Sequence, residues 1–298
     1  MLTEPLVSVI SPCYNGEKYL PKFLDSLLLQ NYRNIEFIFV NDGSTDNSEQ
    51  IFLEFKPKLE TKGWKVLYLK QENGGAASAI NTGLKHFSGK YLTWPDSDDI
   101  LLPDYISKKV EYMEAHGECG LLFSVAERIY PDNPAKEKQY VKCNKELLNE
   151  DNIFESLIFE RNITCVPLCT FIRSANFLEI NPKREIYHNG HGQNFQMLLP
   201  MVYNFKVDFI DDVLAEYVIH EDSNSNNEKT RYVRFIAYTD VLFNVLDAIK
   251  MPALRRFKLK IKIKIHFGKM KLRYRIKQII KFCFGDKVFN IMKNMVRR

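Results

Sequence analysis

The sequence predicts an α/β protein built on a mostly parallel, Rossmann-like central sheet flanked by helices. Through the first hundred residues, short β-branched and aromatic runs alternate with apolar positions at helical spacing. Each of those runs ends in a polar or glycine-rich loop, as strands of a parallel sheet do at their carboxyl ends. The 298 residues are 45% hydrophobic and 27% charged, ordinary for a folded globular chain. That excludes disorder, collagen or coiled coil as a description of the whole. No run of about 18 apolar residues is present, which excludes a polytopic membrane protein. The first residues lack a basic stretch followed by an apolar core, so no secretory signal is expected.

Leu6–Ser11 reads as a buried strand, followed by the loop PCYNGE. Leu20, Phe23, Leu24, Leu27 and Leu28 then mark one face of a helix. Ile35–Val40 is a second strand, ended by NDGSTDNS, in which Asp46 or Ser48 is placed to cap a helix over 48–60. Val66–Leu69 is a third strand, and NGGAASAINTGL a glycine-rich turn opening a helix. Lys90–Trp94 is a fourth strand, ended by PDSDD. Farther on, the pattern predicts a helix over 104–116, a strand over 120–129, a polar loop over 131–145 and a helix over 149–160. A strand over 168–173, a helix over 194–203 broken at Pro200 and an edge strand over 210–219 follow. A polar loop and an amphipathic helix over 231–249 lead into the end of the chain. Three segments result: 1–104, 105–220 and a helical, basic extension over 221–298.

The net charge of +5 hides an asymmetry. From Arg255 onward the chain carries 16 Lys and Arg and one acid, Asp286, about +15; residues 1–254 carry about −10. The six cysteines (13, 119, 143, 165, 169 and 283) form no CxxC pair and complete no zinc pattern, so reduced thiols of a cytosolic protein are expected.

Chemistry concentrates in the loops. In PDSDD, Asp96, Asp98 and Asp99 follow a hydrophobic strand. Carboxylates this close repel, and a hard divalent cation, Mg²⁺ or Mn²⁺, relieves the repulsion. Capping of a helix at 100–115 explains the same residues equally well. Asp42 is able to accept hydrogen bonds from a nucleobase or ribose, or to serve turn geometry alone. The ENGG turn offers backbone amides to an anion, yet matches neither GxGxxG nor a P-loop.

Taken together, VSVISPCYNGEKYL, IEFIFVNDGSTDNS, ENGGAASAINTGL and GKYLTWPDSDD resemble the family 2 glycosyltransferases, clearly over residues 6–104 and more loosely to about 220. The resemblance implies the GT-A fold, with 1–104 as the nucleotide-sugar half and 105–220 as the acceptor half. It implies an enzyme moving a hexosyl or N-acetylhexosaminyl group from a nucleotide sugar, a UDP-sugar, to a glycan or lipid-linked acceptor. Inversion and a place in bacterial cell-surface polysaccharide synthesis are part of that expectation. The alternative is a non-catalytic nucleotide-sugar or glycan-binding subunit. Pro12, Tyr14, Asn15, Glu17, Asp42, Asn73, Gly75, Asp96 and Ser97 are the implied nucleotide-binding set. Asp96, Asp98 and His220 are the implied ligands of Mn²⁺ or Mg²⁺. Where the family places a Glu-Asp pair as base, this chain has Gln193-Asn194, and an amide cannot take a proton. Three readings follow: a nearby group such as Glu185, His188 or His191 is the base; Gln193 and Asn194 bind acceptor hydroxyls while another residue acts; or the protein is a poor catalyst. Ile80 stands where many relatives place Arg.

The tail alternates charge and apolar residue in KLKIKIKIHF and continues with Lys and Arg beside Leu, Tyr, Ile and Phe. That pattern predicts attachment to the inner surface of the cell membrane rather than to nucleic acid, with an oligomer or partner contact as the other option.

Overall fold

In a computed structural model, the described residues are 4–141, 153–161, 163, 166–187, 192–220 and 228–296, with side chains omitted at 228–236, 281 and 284–296. The chain divides into two compact units, Met1–Glu221 and Asp222–Arg298. The first unit opens with β1 (Val7–Cys13), α1 (Leu20–Leu28), β2 (Ile35–Asn41), α2 (Ser48–Thr61), β3 (Lys65–Lys70), α3 (Ala76–Leu84) and β4 (Tyr91–Thr93). β1 pairs in parallel with β2 and β4, and β2 with β3. β1, β2 and β4 are buried on both faces, the reason they read as near-continuous apolar runs, whereas β3, at the edge of the sheet, is only half-buried.

Beyond β4 the pairing is mixed. The elements are β5 (Ile100–Leu101), α4 (Tyr105–Ala115), β6 (Cys119–Ile129), β7 (Gln139–Val141), α5 (Ile153–Ile158), β8 (Thr170–Arg173), α6 (Ser174–Ile180), α7 (Gln193–Asn204) and β9 (Lys206–Val218). The sheet runs β3-β2-β1-β4-β8-β6-β9-β5, with β7 on β6. β9 is thus no edge strand, contrary to its alternating pattern. Two-residue β5 pairs antiparallel along its outer side, and β6 lies parallel on the other. α7 runs through Pro200 without a break. A proline inside a helix costs about 3 kcal/mol, and here seven of the twelve helix residues are buried.

A buried carboxylate holds the amino ends of the parallel strands together. Glu36 Oε1 accepts from Ser8 Oγ at 2.7 Å and from the Ser88 amide at 2.7 Å. Its Oε2 accepts from Lys65 Nζ at 2.6 Å and from Ser88 Oγ at 2.9 Å. Ser8 faces Glu36 in the β1–β2 register, and Glu36 faces Lys65 in the β2–β3 register. Gly89, on the way into β4, donates its amide to Ser8 Oγ. Burial pulls the Glu36 carboxyl upward, but the hydrogen bonds from Lys65, Ser8 and Ser88 together outweigh it and hold the group below the usual carboxylate range.

The described residues of the second unit form two helices, α8 (Glu228–Ala248) and α9 (Ala253–Val296). α8 buries Val241, Leu242 and Leu246, and α9 buries Leu259, Ile263 and Phe267. Lys260 reaches back to Asp247 at 2.7 Å.

Replacing Glu36 by Ala leaves the Ser8 and Ser88 donors without their acceptor and is expected to cost about 2–4 kcal/mol in urea unfolding. Because the folded-state pKa is lowered, the Glu36 contribution is present above the unfolded-chain value of about 4.3. It fades as pH falls toward the folded-state value. Glu36→Gln is expected to lose that part of the acid dependence, read by unfolding curves over the acid range.

Candidate active site

The loops after β1, β2, β3 and β4 leave the same edge of the sheet, because those four strands are parallel. The first two are cross-braced. Asn15 donates its amide to Ser44 Oγ, and its Oδ1 accepts from the Thr45 amide. The Gly16 amide meets Ser48 Oγ at 2.8 Å and the Glu17 amide meets Asp46 Oδ2 at 2.9 Å. Glu17 Oε2 in turn accepts from the Asn47 amide and side chain. Asn47 occupies the cap position of α2 without a side-chain cap bond, whereas Asp46 Oδ1 accepts from the Ser48 amide and hydroxyl. Asn15 and Glu17, read from the sequence as nucleotide-binding, are therefore also loop braces. Tyr14 is exposed, and Pro12 sits in β1 opposite Val40.

Asp42 gathers the third loop. It is buried; Oδ1 accepts from Gln71 Nε2 at 2.7 Å and from the Gly74 amide at 2.9 Å, and Oδ2 from the Gly75 amide at 2.8 Å. A carboxylate has about four acceptor positions, and three hydrogen bonds reach this one. Gly43 has φ +72°, and a Cβ there would lie 2.7 Å from the Asn73 amide nitrogen. Only glycine lets the two loops approach so closely.

The fourth loop carries the charge. Ligand atoms of Asp96, Asp98 and Asp99 lie within 4.8 Å of one another. Their reading as helix caps fails: β5 intervenes, and α4 starts at Tyr105 after Asp104. Burial, and then the charge of Asp98, push the Asp96 carboxyl up to about 7. Burial and its acidic neighbours push Asp99 well up. Asp99 Oδ1 accepts from the Val218 amide at the end of β9, and Oδ2 is buried with no hydrogen-bond partner. Asp98 is the more open carboxylate, and His220 Nε2 lies 3.1 Å from its Oδ2. The His220 ring stacks on Tyr19 at 4.1 Å between centroids. Three crowded carboxylates beside an imidazole, one carboxylate oxygen being unsatisfied, are a fitting donor set for a hard divalent cation.

Gln193 and Asn194 start α7 just after Gly192, whose φ is +69°. Asn194 Oδ1 accepts from Trp94 Nε1 at 3.3 Å, which brings the amide pair to the end of β4. Ser97 is buried. Glu185 is exposed and ends a stretch tied to α3, since the next residue, Ile186, exchanges two bonds with Asn81. His188 and His191 lie outside the described residues. The sequence pattern places Asp99 in the acidic cluster without assigning it as a ligand, and it points to neither Trp94 nor Tyr19. For Asp99 the doubled Asp98-Asp99 was the available signal; the other two depend on partners about 100 and 200 residues away.

The family model described as glycosyl transferase family 2 matches residues 8–176. An uncharacterized glycosyltransferase of Rickettsia prowazekii is 45% identical over 110 residues, which is 37% of this chain and 32% of that protein. The glycosyltransferase GlyA of Streptococcus pneumoniae is 44% identical over 130 residues, 43% of this chain and 18% of GlyA. The chain thus spans about a third or less of these curated relatives. Among solved structures, S. aureus TarS 1–349 in complex with UDP-GlcNAc superposes with a TM-score of 0.66 at 21% identity, covering 91% of this chain and 75% of that one. The mannosyltransferase PcManGT from Pyrobaculum calidifontis, in complex with GDP-Man and Mn²⁺, gives 0.60 at 16% identity, with coverage of 99% and 81%. The fold is GT-A, a mixed α/β architecture.

Asp42→Ala removes the acceptor of two loop amides. The expected outcome is a folded protein whose Gly74 and Gly75 amides exchange hydrogen about tenfold faster or more, read by hydrogen-exchange mass spectrometry over 70–76.

Proposed function

The chain belongs to glycosyltransferase family 2, and on that premise we propose that it moves a sugar from a UDP-sugar to a hydroxyl of a glycan or lipid-linked acceptor in cell-surface polysaccharide synthesis. The observation that carries this is the gathering of Asp96, Asp98, Asp99 and His220 at the edge where the four parallel-strand loops converge. Asp98, with Asp96 and His220, would hold Mn²⁺ or Mg²⁺ against the diphosphate. A bound divalent cation offsets the negative charge that grows on the leaving diphosphate.

The protein's own groups do the rest. Asp42 offers an acceptor position to the uracil N–H, and Pro12 near the end of β1 and Tyr14 just after it border the base. Asn73, Gly75 and the braced pair Asn15 and Glu17 fix the loops around the nucleotide, and Ser97 lies between the two acids of the motif. Preformed loops of this kind lower the ordering cost of binding. Gln193 and Asn194 hold acceptor hydroxyls by hydrogen bonds, and the attacking hydroxyl passes its proton to another group, with Glu185, His188 and His191 the candidates. A second reading, a nucleotide-sugar-binding subunit without turnover, is favoured by that same amide pair.

UDP release from a panel of UDP-sugars, with Mn²⁺, Mg²⁺ or EDTA, tests this. Metal-dependent release from one donor is expected, reduced about a hundredfold or more by Asp98→Ala. Tight UDP binding without release for any acceptor supports the subunit reading; no UDP binding at all overturns both.

Protons compete with the cation for Asp96. Because that carboxyl is pushed up to about 7, Mn²⁺ affinity is expected to fall by roughly tenfold per unit as pH drops below that value. Calorimetric titration across neutral pH reads the slope, and a flat profile contradicts the assignment of Asp96 as a ligand.

A further inference from the structure

α9 turns a strand-like sequence pattern into two apolar stripes. Residues in a helix advance by about 100° each, so apolar residues two apart fall about 200° apart, on opposite faces. In KLKIKIKIHF, Leu259, Ile263 and Phe267 fall on one face and are buried. Arg256 donates to the Ile249 carbonyl just past α8, and Lys260 pairs with Asp247 near this same face. Ile261 and Ile265 fall on the opposite face and are exposed. That second face extends along the helix through Leu254, Phe257, Leu272 and Ile276, all exposed, with relative exposures from 41% to 64%.

The open stripe is bordered by cations. On the helical projection Lys258, Lys262 and Lys269 line one edge, and Lys271 and Arg275 the other. The charge of the tail, about +15 from Arg255 onward, stands against about −10 on the rest of the chain. Among the described residues no helix is long and apolar enough to cross a membrane.

We propose that this face of α9 lies flat on an anionic bilayer, its apolar stripe entering the headgroup boundary and its flanking Lys and Arg meeting lipid phosphates. A narrow apolar stripe with cations on both edges is the arrangement an interfacial helix uses. A dimer seam would be met by a second apolar stripe, but the tail would bring like charges of both edges together, about +15 from each copy. A nucleic-acid surface gains from the cations and gives the exposed apolar residues nothing to enter. This surface is independent of the sugar-transfer reading.

The test is flotation of the full chain with phosphatidylcholine vesicles, with and without phosphatidylglycerol. Binding is expected only with the anionic lipid and is expected to weaken as salt rises. Ile261→Asn with Ile265→Asn, both on the exposed face, is expected to reduce binding about tenfold or more. Reversal of Lys258, Lys262 and Lys269 to Glu is expected to reduce it at least as much. Unchanged helix content by circular dichroism shows that the variants fold. UDP release in solution is read in parallel, so loss of lipid binding and loss of sugar transfer stay distinguishable. Ile265→Trp adds a direct reading: its fluorescence is expected to be quenched by brominated lipid.

Failure of the wild-type chain to float with anionic vesicles overturns the proposal. So does equal binding by the Ile261→Asn, Ile265→Asn variant. A concentration-dependent dimer abolished by that variant, with lipid binding unchanged, assigns the stripe to a second copy instead. Tight binding of RNA without binding of anionic vesicles also rejects it.

Discussion

The site rests on one carboxylate at the far end of the sheet. Glu36 takes four hydrogen bonds, from β1, β3 and the approach to β4. Those bonds fix how the parallel strands stand beside one another. A slip of one residue turns every side chain of a strand to the other face. Here it would also displace each carboxyl-end loop by about 3.3 Å. Contacts such as Asn15 to Thr45 or Asp42 to Gly75, each near 2.8 Å, do not survive such a shift. The cost of burying Glu36 is met by four donors, one of them a lysine. An apolar residue there would pack as well, but it would say nothing about register.

The opposite edge has the reverse character. At Glu36 four donors fill the carboxylate's acceptor positions; at Asp96, Asp98 and Asp99 the acceptors outnumber the donors. Glu36 is held below the usual range, and Asp96 and Asp99 are pushed above it. One sheet thus carries a satisfied acid where its strands begin and an unsatisfied cluster where they end. Such a cluster lowers the stability of the isolated chain and is stabilised by whatever supplies positive charge. Unsatisfied polar groups concentrate where a protein has work to do.

The elements that read clearly from sequence are those whose neighbours dictate them locally. β1, β2 and β4 are buried on both faces, so continuous apolar runs reveal them, and the loops on either side mark half-buried β3. β5 and β7, two and three residues long, carry too few positions for a period to show. The absence of β5 from the pattern makes β9 read as an edge. α6 begins directly after β8, with no intervening loop to mark its start. Within the site, the order of the four loops is legible, because parallel topology alone brings them to one edge. The pairing of His220 with Asp98 and of Asn194 with Trp94 spans about a hundred residues. No local pattern encodes such contacts. The resemblance to the family pointed to His220, and nothing pointed to Trp94.

The amide pair at the start of α7 follows from the same electrostatics. Asn194 accepts from the indole of Trp94, two residues before Asp96. A carboxylate at 194 would accept the same hydrogen bond and gain from the helix N-terminus, worth about 0.3–1 kcal/mol. It would also add a negative charge to a neighbourhood that already holds Asp96, Asp98 and Asp99, where each further charge is harder to ionise. An amide keeps the bond to Trp94 and adds no charge. It donates as well as accepts, which suits neutral hydroxyls, the groups a sugar acceptor presents. An amide at this position therefore leaves the acidic loop less strained than an acid would.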